Sequence, residues 1–134
     1  MTNPKRGPVV YDAGALVAAD HGTRSMFALH GGLLDEARQI IVPAPVLTQA
    51  WRNSSRQVRL VRLLRGCLVA PTSEGIAKVA GELLGRAKTA DVVGAIVVST
   101  AIRYEARVVT SDPDDLERLV QASGVGVPIP LIVV

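Results

Sequence analysis

The amino-acid sequence predicts an α/β fold, a three-layer α/β/α sandwich around a central, mainly parallel sheet. Short β-branched runs alternate with longer segments whose hydrophobic residues recur every three or four positions, as in strands joined by helical crossovers. Hydrophobic residues make up 49% of the chain and aromatic residues only 3%. The core must therefore consist of Val, Leu, Ile and Ala, which suits parallel strands covered by helices. The length of 134 residues fits one domain, and we expect residues 1–134 to form it.

Five short runs are predicted to be strands because they are rich in β-branched residues and end at turn-forming ones. The first is followed by Asp12, Ala13 and Gly14, and the second is stopped by Pro43 and Pro45. The five runs are residues 8–11, 39–42, 67–70, 107–110 and 129–134.

The segments between these strands are predicted to be helical. Thr72 or Ser73 would cap the helix after the third strand, and Asp112 is an N-cap with Pro113 as the first helical residue. The predicted helices are one from about residue 15, one over 24–37, one from 46, one over 74–86, one over 89–104 and one from 113 to about 122. The helix from 46 is expected to break at 53–55, where Ser54 or Ser55 would cap the next helix.

Three aspartates are predicted to meet at one edge of the sheet. Asp12 and Asp112 follow the first and fourth strands, and ligands of open α/β sheets collect beyond the carboxyl ends of strands. Asp91, in the first turn of a helix, can point at the same edge. Three such carboxylates repel one another, and a bound Mg²⁺ or Mn²⁺ would remove that conflict because hard cations prefer oxygen ligands. The metal could then activate a water and neutralise charge on a phosphate.

Taken singly, two of these aspartates have a structural interpretation as well. Asp112 alone is a helix cap, and Asp91 alone is a first-turn charge favoured by the helix dipole. Asp12 is harder to explain structurally, because it lies directly after a buried strand and before a turn. The specificity therefore lies in the set of three and its order along the chain.

Four segments of the chain resemble the motifs of PIN-domain ribonucleases, more narrowly of VapC-type toxins from bacterial type II toxin–antitoxin pairs. They are VVYDAGAL at 9–16, VPAPVLTQ at 42–49, DVVGA at 91–95 and VVTSDPDDL at 108–116. The first and last are fairly specific, and together the four span almost the whole chain in family order. The resemblance implies a PIN-like fold and a Mg²⁺- or Mn²⁺-dependent endoribonuclease. It also implies cleavage of tRNA or rRNA, a homodimer, and inhibition by a small antitoxin protein.

The resemblance also implies roles for particular residues. Asp12 would be the first metal ligand, Asp91 the third acid and Asp112 the fourth, and these three would be the catalytic residues. Asp115 would assist the metal from the outer shell. Thr110 would orient Asp112 or a metal-bound water through its hydroxyl, although a β-branched residue in a strand is an equally good structural interpretation.

Two positions depart from the family pattern. Gln49 stands where the family has its second acid, a Glu, so it can support the site with a carbonyl oxygen but brings no negative charge. Gly94 stands where relatives often carry another Asp one turn after the third acid. Both changes lower the negative charge of the site. Either the enzyme works with one metal ion, or it binds metal weakly until RNA phosphates complete the coordination shell.

Arginines recur every three or four residues between positions 52 and 65, which on one helix would form a cationic stripe. Two interpretations stay open: a solvated helix face, or a surface that binds the RNA backbone or an acidic antitoxin segment. The net charge of +3 permits an anionic partner without requiring one. The residues are Arg52, Arg56, Arg59, Arg62 and Arg65.

Four further residues have a structural interpretation as the first choice. Trp51 could stack on a base but is expected in the core. Cys67 cannot form an internal disulfide, because it is the only cysteine, and is expected to be a small buried hydrophobe. His21 and His30 are expected in loops or on the surface.

Two functional classes other than a metal-dependent ribonuclease also bear on these aspartates. A catalytically weak or inactive PIN-like module that binds RNA or protein stays open because of Gln49 and Gly94. A receiver-type phosphoacceptor domain is discounted, because it needs paired acids after the first strand and a lysine after the last. No run approaches the ~20 apolar residues that span a bilayer, so we expect a cytoplasmic protein without a membrane partner.

Overall fold

Five short strands form one parallel sheet, which confirms the predicted α/β class. The computed structural model describes residues 7–124 and 130–134 of the chain. Within them the strands follow the order β3-β2-β1-β4-β5, and each neighbouring pair is parallel. The strands are β1 (Val9–Tyr11), β2 (Ile40–Pro43), β3 (Leu68–Ala70), β4 (Arg107–Thr110) and β5 (Leu131–Val133).

The direction of the sheet reverses between β1 and β4. From β1 the chain adds β2 and β3 on one side, and then crosses back to place β4 on the other side of β1. The register pairs Tyr11 with Val109, so the two strands end at nearly the same level. Open α/β sheets bind ligands at this kind of topological switch point, beyond the carboxyl ends of the strands. The residues that follow β1 and β4 are therefore the first candidates for a functional site.

Seven helices in the described part of the chain cover the sheet. Helix α1 packs against α3 and α4, and α5, α6 and α7 pack against one another, which is compatible with a three-layer α/β/α sandwich. The helices are α1 (Ala13–Asp20), α2 (Arg24–Asp35), α3 (Ala44–Ala50), α4 (Val58–Leu64), α5 (Glu74–Ala87), α6 (Val92–Tyr104) and α7 (Pro113–Ala122). None of the described helices is long and apolar enough to cross a membrane.

The core consists mainly of aliphatic side chains from the inner strands and from the helices, among which α6 has the longest buried run. Residues 9–11 and 40–42 are buried throughout, and α6 is buried from Gly94 to Ala101. Burying each Val or Ile side chain stabilises the fold by about 1.5–3 kcal/mol. The central strands therefore have apolar neighbours on both faces, which explains why their sequences are continuous hydrophobic runs rather than alternating ones.

Most predicted element boundaries agree with the structure to within two residues. Strand β4 and the Asp112 cap with Pro113 at the start of α7 are confirmed, and Ser73 caps α5 through a hydrogen bond from the Ile76 amide. Asp91 is the N-cap of α6 rather than a first-turn residue. The predicted last strand, 129–134, is observed as Leu131–Val133, and its first residue lies outside the described part of the chain.

The predicted arginine stripe on one helix is wrong. Helix α3 ends before Trp51, and α4 begins only at Val58 without a side-chain cap, so the serines at 54 and 55 do not cap it. The intervening loop is held by the buried amide of Gln57, which donates to the Ala50 carbonyl at 2.8 Å and accepts from the Arg52 amide at 2.9 Å. Of the five arginines, only those at 59 and 62 therefore lie on α4.

Three other placements differ from expectation, and one agrees with it. Trp51 is 39% exposed, because it lies at the end of α3 where the chain turns away from the core. Cys67 is only partly buried, and its thiol donates to the Leu63 carbonyl at 3.3 Å. His30 is buried and hydrogen-bonds through Nδ1 to the Tyr11 hydroxyl at 2.8 Å. His21 is exposed, as expected.

Candidate active site at the edge of the sheet

The three predicted aspartates all cap helices. Asp12 leaves β1 and caps α1, and Asp112 follows β4 by two residues and caps α7. Asp91 caps α6. Asp12 and Asp112 thus flank the switch point between β1 and β4, and each carboxylate lies at the positive end of a helix dipole. This arrangement offsets part of the repulsion between the carboxylates.

Asp12 is the most firmly held of the three. Its backbone amide donates to the Val109 carbonyl at 3.0 Å, which extends the pairing between the two central strands. Its carboxylate accepts one hydrogen bond from the Gly14 amide and a second, at 2.7 Å, from the Thr110 hydroxyl. The side chain is partly buried and has one orientation that satisfies both oxygens.

Thr110 connects Asp12 to Asp112. Its side chain is completely buried at the end of β4. The hydroxyl donates to Asp12 Oδ2 and also accepts from the Asp112 amide at 3.0 Å. One hydroxyl therefore fixes the carboxylate of the first acid and the backbone of the last one. The sequence-based expectation was that this hydroxyl orients Asp112 or a metal-bound water; its contact with Asp12 was not predicted.

Asp91 and Asp112 are held more loosely. Asp91 Oδ1 accepts from the Gly94 amide at 2.9 Å, and Asp112 Oδ1 accepts from the Asp115 amide at 3.5 Å, which is a weak hydrogen bond. A Cβ at position 94 would collide with the Asp91 carboxylate. The glycine at this position thus leaves room for the carboxylate to fold over the start of its own helix.

Gly14 performs a similar steric role that the sequence did not reveal. A Cβ at this position would collide with the Ser111 side chain and would lie 3.0 Å from the Ser111 backbone nitrogen. The absence of a side chain allows the start of α1 to approach the loop after β4 closely. This approach brings the loops of Asp12 and Asp112 together.

The acids influence one another electrostatically. Burial raises the pKa of Asp12 above its usual value, and the charges of Asp91 and Asp112 raise it further, while the hydrogen bonds from Thr110 and Gly14 oppose the rise. The pKa of Asp115 is also raised, chiefly by the charge of Asp112 and a hydrogen bond to it. The four carboxylates therefore form an electrostatic cluster although they belong to three helices.

The carboxylate oxygens of these aspartates are the type of ligand that a hard divalent cation binds. Carboxylate oxygens that raise one another's proton affinity are the ligands that Mg²⁺ and Mn²⁺ prefer. Within residues 7–124 and 130–134, however, no three acidic, His or Cys side chains lie close enough to enclose an ion as they stand. Asp12, Asp91 and Asp112 each use one carboxylate oxygen to cap a helix. Gln49, the predicted supporting residue, is exposed on α3.

A cleft of about 260 Å³ adjoins the acids and contains a residue that sequence reasoning missed. It is lined by Thr89, Asp91, Asp114, Asp115 and Arg118. Arg118 lies on α7, one helical turn after Asp115, so its proximity to the acids follows from helical spacing once Asp112 is recognised as the cap.

The predicted RNA- or partner-binding arginines are not part of this cleft. Arg52 turns back on its own segment and donates to the carbonyls of Thr48 and Trp51. The Arg59 guanidinium lies against Gly22, in the turn after α1. Arg56 is exposed in the loop before α4. These side chains belong to the α1–α4 side of the molecule.

Several solved structures resemble this chain, among them the following two. One is the crystal structure of VapBC2 from Rickettsia felis bound to a DNA fragment from their promoter, with a TM-score of 0.67, 18% identity, and coverage of 82% of this chain and 91% of that one. The other is FitAcB from Neisseria gonorrhoeae, with a TM-score of 0.65, 12% identity, and coverage of 92% and 96%. At these identities the likeness shows the fold alone. No family model and no curated protein matches the chain.

The predicted membership of the PIN-domain VapC-type toxins is wrong as a family assignment on these comparisons. No family model supports it, and the two similar structures share the fold with this chain at only 18% and 12% identity. The motifs that suggested the family place Asp where a strand ends or a helix begins. Such positions are good helix caps in any parallel α/β sheet, so the motifs are less specific than their order suggested. What stands is the parallel α/β fold that the chain shares with these two structures.

Proposed function

We propose that this protein is a metal-dependent endoribonuclease that belongs to a toxin–antitoxin pair. The proposal rests on one observation, the Asp12 carboxylate at the switch point of the sheet. It is fixed by the Thr110 hydroxyl, and burial and neighbouring acids raise its pKa. A partly buried acid whose pKa is raised by burial and by neighbouring carboxylates is typical of catalytic sites.

Mg²⁺ or Mn²⁺ would be held by Asp12, Asp91 and Asp112, with Asp115 as an outer helper. When bound, such an ion lowers the pKa of a water and neutralises charge on a phosphate. The chain itself supplies orientation. Thr110 keeps the Asp12 carboxylate in place, and Gly94 lets Asp91 lie close over α6.

The similarity to VapBC2 and FitAcB supports a partner protein for this chain, and we propose a small antitoxin. The proposed substrate is structured RNA, either tRNA or rRNA. A homodimer and a cytoplasmic location belong to the same proposal. The arginines near α4 lie away from the acid cluster, so we assign Arg52, Arg56 and Arg59 to contact with RNA or the partner outside the reacting centre.

The test is cleavage of total tRNA and rRNA with Mg²⁺ or Mn²⁺, comparing the wild type with Asp12→Asn. Asp35→Asn, an exposed acid at the end of α2, is the matched control. We expect metal-dependent cleavage by the wild type and the control, and none by Asp12→Asn. Cleavage that persists in Asp12→Asn, or that ignores chelation of the metal, would reject the proposal.

Gln49 on α3, which brings no negative charge to the proposed site, gives a second test of metal binding. Gln49→Glu should tighten Mg²⁺ binding measured by calorimetry, because it adds a carboxylate where the site is short of charge. An unchanged affinity would mean that Gln49 does not face the ion.

A second candidate is a catalytically inactive member of such a pair that binds RNA or protein. Two observations favour it: Gln49 in place of an acid, and three carboxylates that are engaged as helix caps. The promoter DNA in the VapBC2 structure extends this candidate to DNA. Tight binding of a nucleic acid without any metal-dependent cleavage would favour it over the nuclease.

A further inference from the structure

We propose that the cleft beside the acid cluster is a phosphate subsite, in which Arg118 binds an RNA phosphodiester next to the one that is cut. This inference rests on the proposed ribonuclease function. It assigns a substrate contact to a residue that none of the motifs contains.

The first argument is the charge of the cleft. Its lining has three carboxylates, Asp91, Asp114 and Asp115, and one cation, Arg118. The formal charge is therefore −3 + 1 = −2. An RNA backbone is repelled from such a surface unless cations compensate the charge. Arg118 is the single cation that the described lining offers for this purpose, beside any metal ion.

The second argument is that the Arg118 guanidinium is near the acids without being paired to them. Arg118 lies three and four residues after Asp115 and Asp114 on α7. Its side chain lines the same cleft as both of these acids. Within the described residues, the only ion pairs are Arg38–Glu36 and Lys78–Glu74. The guanidinium is exposed, so it remains available to a ligand.

The third argument is the donor geometry. A guanidinium can bind two phosphate oxygens at once through parallel N–H groups, which a lysine cannot do. The Thr89 hydroxyl, on the same cleft, accepts from the Asp91 amide at 3.3 Å. Its own proton is therefore free to donate to a phosphate oxygen. The two side chains supply donors to an anion in a cleft that otherwise presents acceptors.

The experiment measures RNA affinity separately from cleavage. In the Asp12→Asn background, a fluorescein-labelled single-stranded RNA is titrated with protein in Mg²⁺ at several salt concentrations, and anisotropy gives Kd. Arg118→Gln should weaken binding about tenfold. It should also lower the slope of log Kd against log salt by about 0.7, the value for one phosphate contact on a single strand. Arg118→Lys should recover part of the affinity.

Arg103→Gln is the matched control, an exposed arginine near the far end of α6 from Asp91. It should leave both the affinity and the salt slope unchanged. Melting temperatures check folding, and Arg118→Met, which keeps the aliphatic stem, replaces the glutamine variant if that does not fold.

The outcomes separate the two proposals. Equal affinities and slopes for the 118 and 103 variants, or no RNA binding at all, would overturn the subsite. Arg118-dependent binding by a protein that never cleaves RNA would keep the subsite and reject the ribonuclease.

Discussion

Replacing Thr110 by Val tests whether one buried hydroxyl organises the acid cluster. Valine has nearly the same shape, so the substitution removes the hydroxyl without opening a cavity. Two hydrogen bonds are lost: the one donated to the Asp12 carboxylate at 2.7 Å and the one accepted from the Asp112 amide at 3.0 Å. Thr110 is completely buried, so water cannot replace the hydroxyl at that point.

The expected loss follows from the kinds of hydrogen bond involved. A hydrogen bond to a charged group contributes about 1.5–3 kcal/mol, and burying a methyl group in place of the hydroxyl returns somewhat less than 1 kcal/mol. We therefore expect the free energy of unfolding to fall by about 2 kcal/mol. For a chain of this length that corresponds to a decrease in Tm of about 8 °C.

The loss should also depend on pH, because the Thr110 hydrogen bond lowers the pKa of Asp12. Without it the pKa of Asp12 rises further above the unfolded value of 3.8. A carboxyl whose folded pKa is raised contributes stability below its unfolded pKa and loses it as pH rises through the folded pKa. The gap between Thr110→Val and the wild type should therefore widen as pH rises above 3.8 through the folded pKa of Asp12.

Urea unfolding measures both effects, and Thr100→Val is the matched control. Thr100 is also a buried threonine, but its hydroxyl donates to the neutral Ile96 carbonyl within α6. We expect this control to lose less than 1 kcal/mol. A double-mutant cycle of Thr110→Val with Asp12→Asn should give a coupling above about 0.5 kcal/mol. The reasoning is refuted if the two valine variants lose the same free energy, or if the cycle is additive.

Three further predictions concern other parts of the fold. Gly14→Ala should lower the free energy of unfolding by about 1–3 kcal/mol, because its Cβ collides with Ser111. Gly81→Ala, in open space on α5, should raise it by up to about 1 kcal/mol in the same urea titration. Burial lowers the pKa of His30, so stability should fall as pH drops below 6.5 through the folded pKa. His30→Gln should reduce this dependence of stability on pH, measured as Tm. Parallel curves of Tm against pH for the variant and the wild type would contradict the prediction. Burial raises the pKa of Cys67 to about 12 from 9.0, so iodoacetamide at pH 8 should alkylate folded protein at least about 100-fold more slowly than protein in urea.

Local sequence signals were sufficient for the sheet and for the helix caps at Ser73 and Asp112. β-branched runs such as residues 107–110 have one favourable environment, a buried strand, and tertiary contacts leave that preference unchanged. The Asp112–Pro113 pair combines a side-chain acceptor with a residue that needs no amide partner, so the start of α7 could be read directly. Once the strands were predicted, their ends were known, and so was the edge of the sheet at which Asp12 lies.

What the sequence did not predict depends on contacts between distant segments. The helical periodicity continues past Trp51, but the chain turns there because the buried Gln57 amide binds the backbone of residues 50 and 52. The same holds for Gly14, whose importance is a close approach to a loop 97 positions further along the chain. The burial of His30 was not predicted, because its hydrogen-bond partner, Tyr11, lies on a different element of the fold.

The capping role of the acids separates their contribution to folding from their charge. Asparagine caps a helix about as well as aspartate, whereas alanine loses about 1 kcal/mol at such a position. Asp91→Ala should therefore destabilise the protein by removing the cap on α6, while Asp91→Asn keeps the cap and removes one charge from a cluster that repels itself. An Asp91→Asn variant as stable as the wild type at neutral pH would mean that the fold needs the oxygen and not the charge. The charge would then be retained for a ligand, which is what the proposed metal site requires.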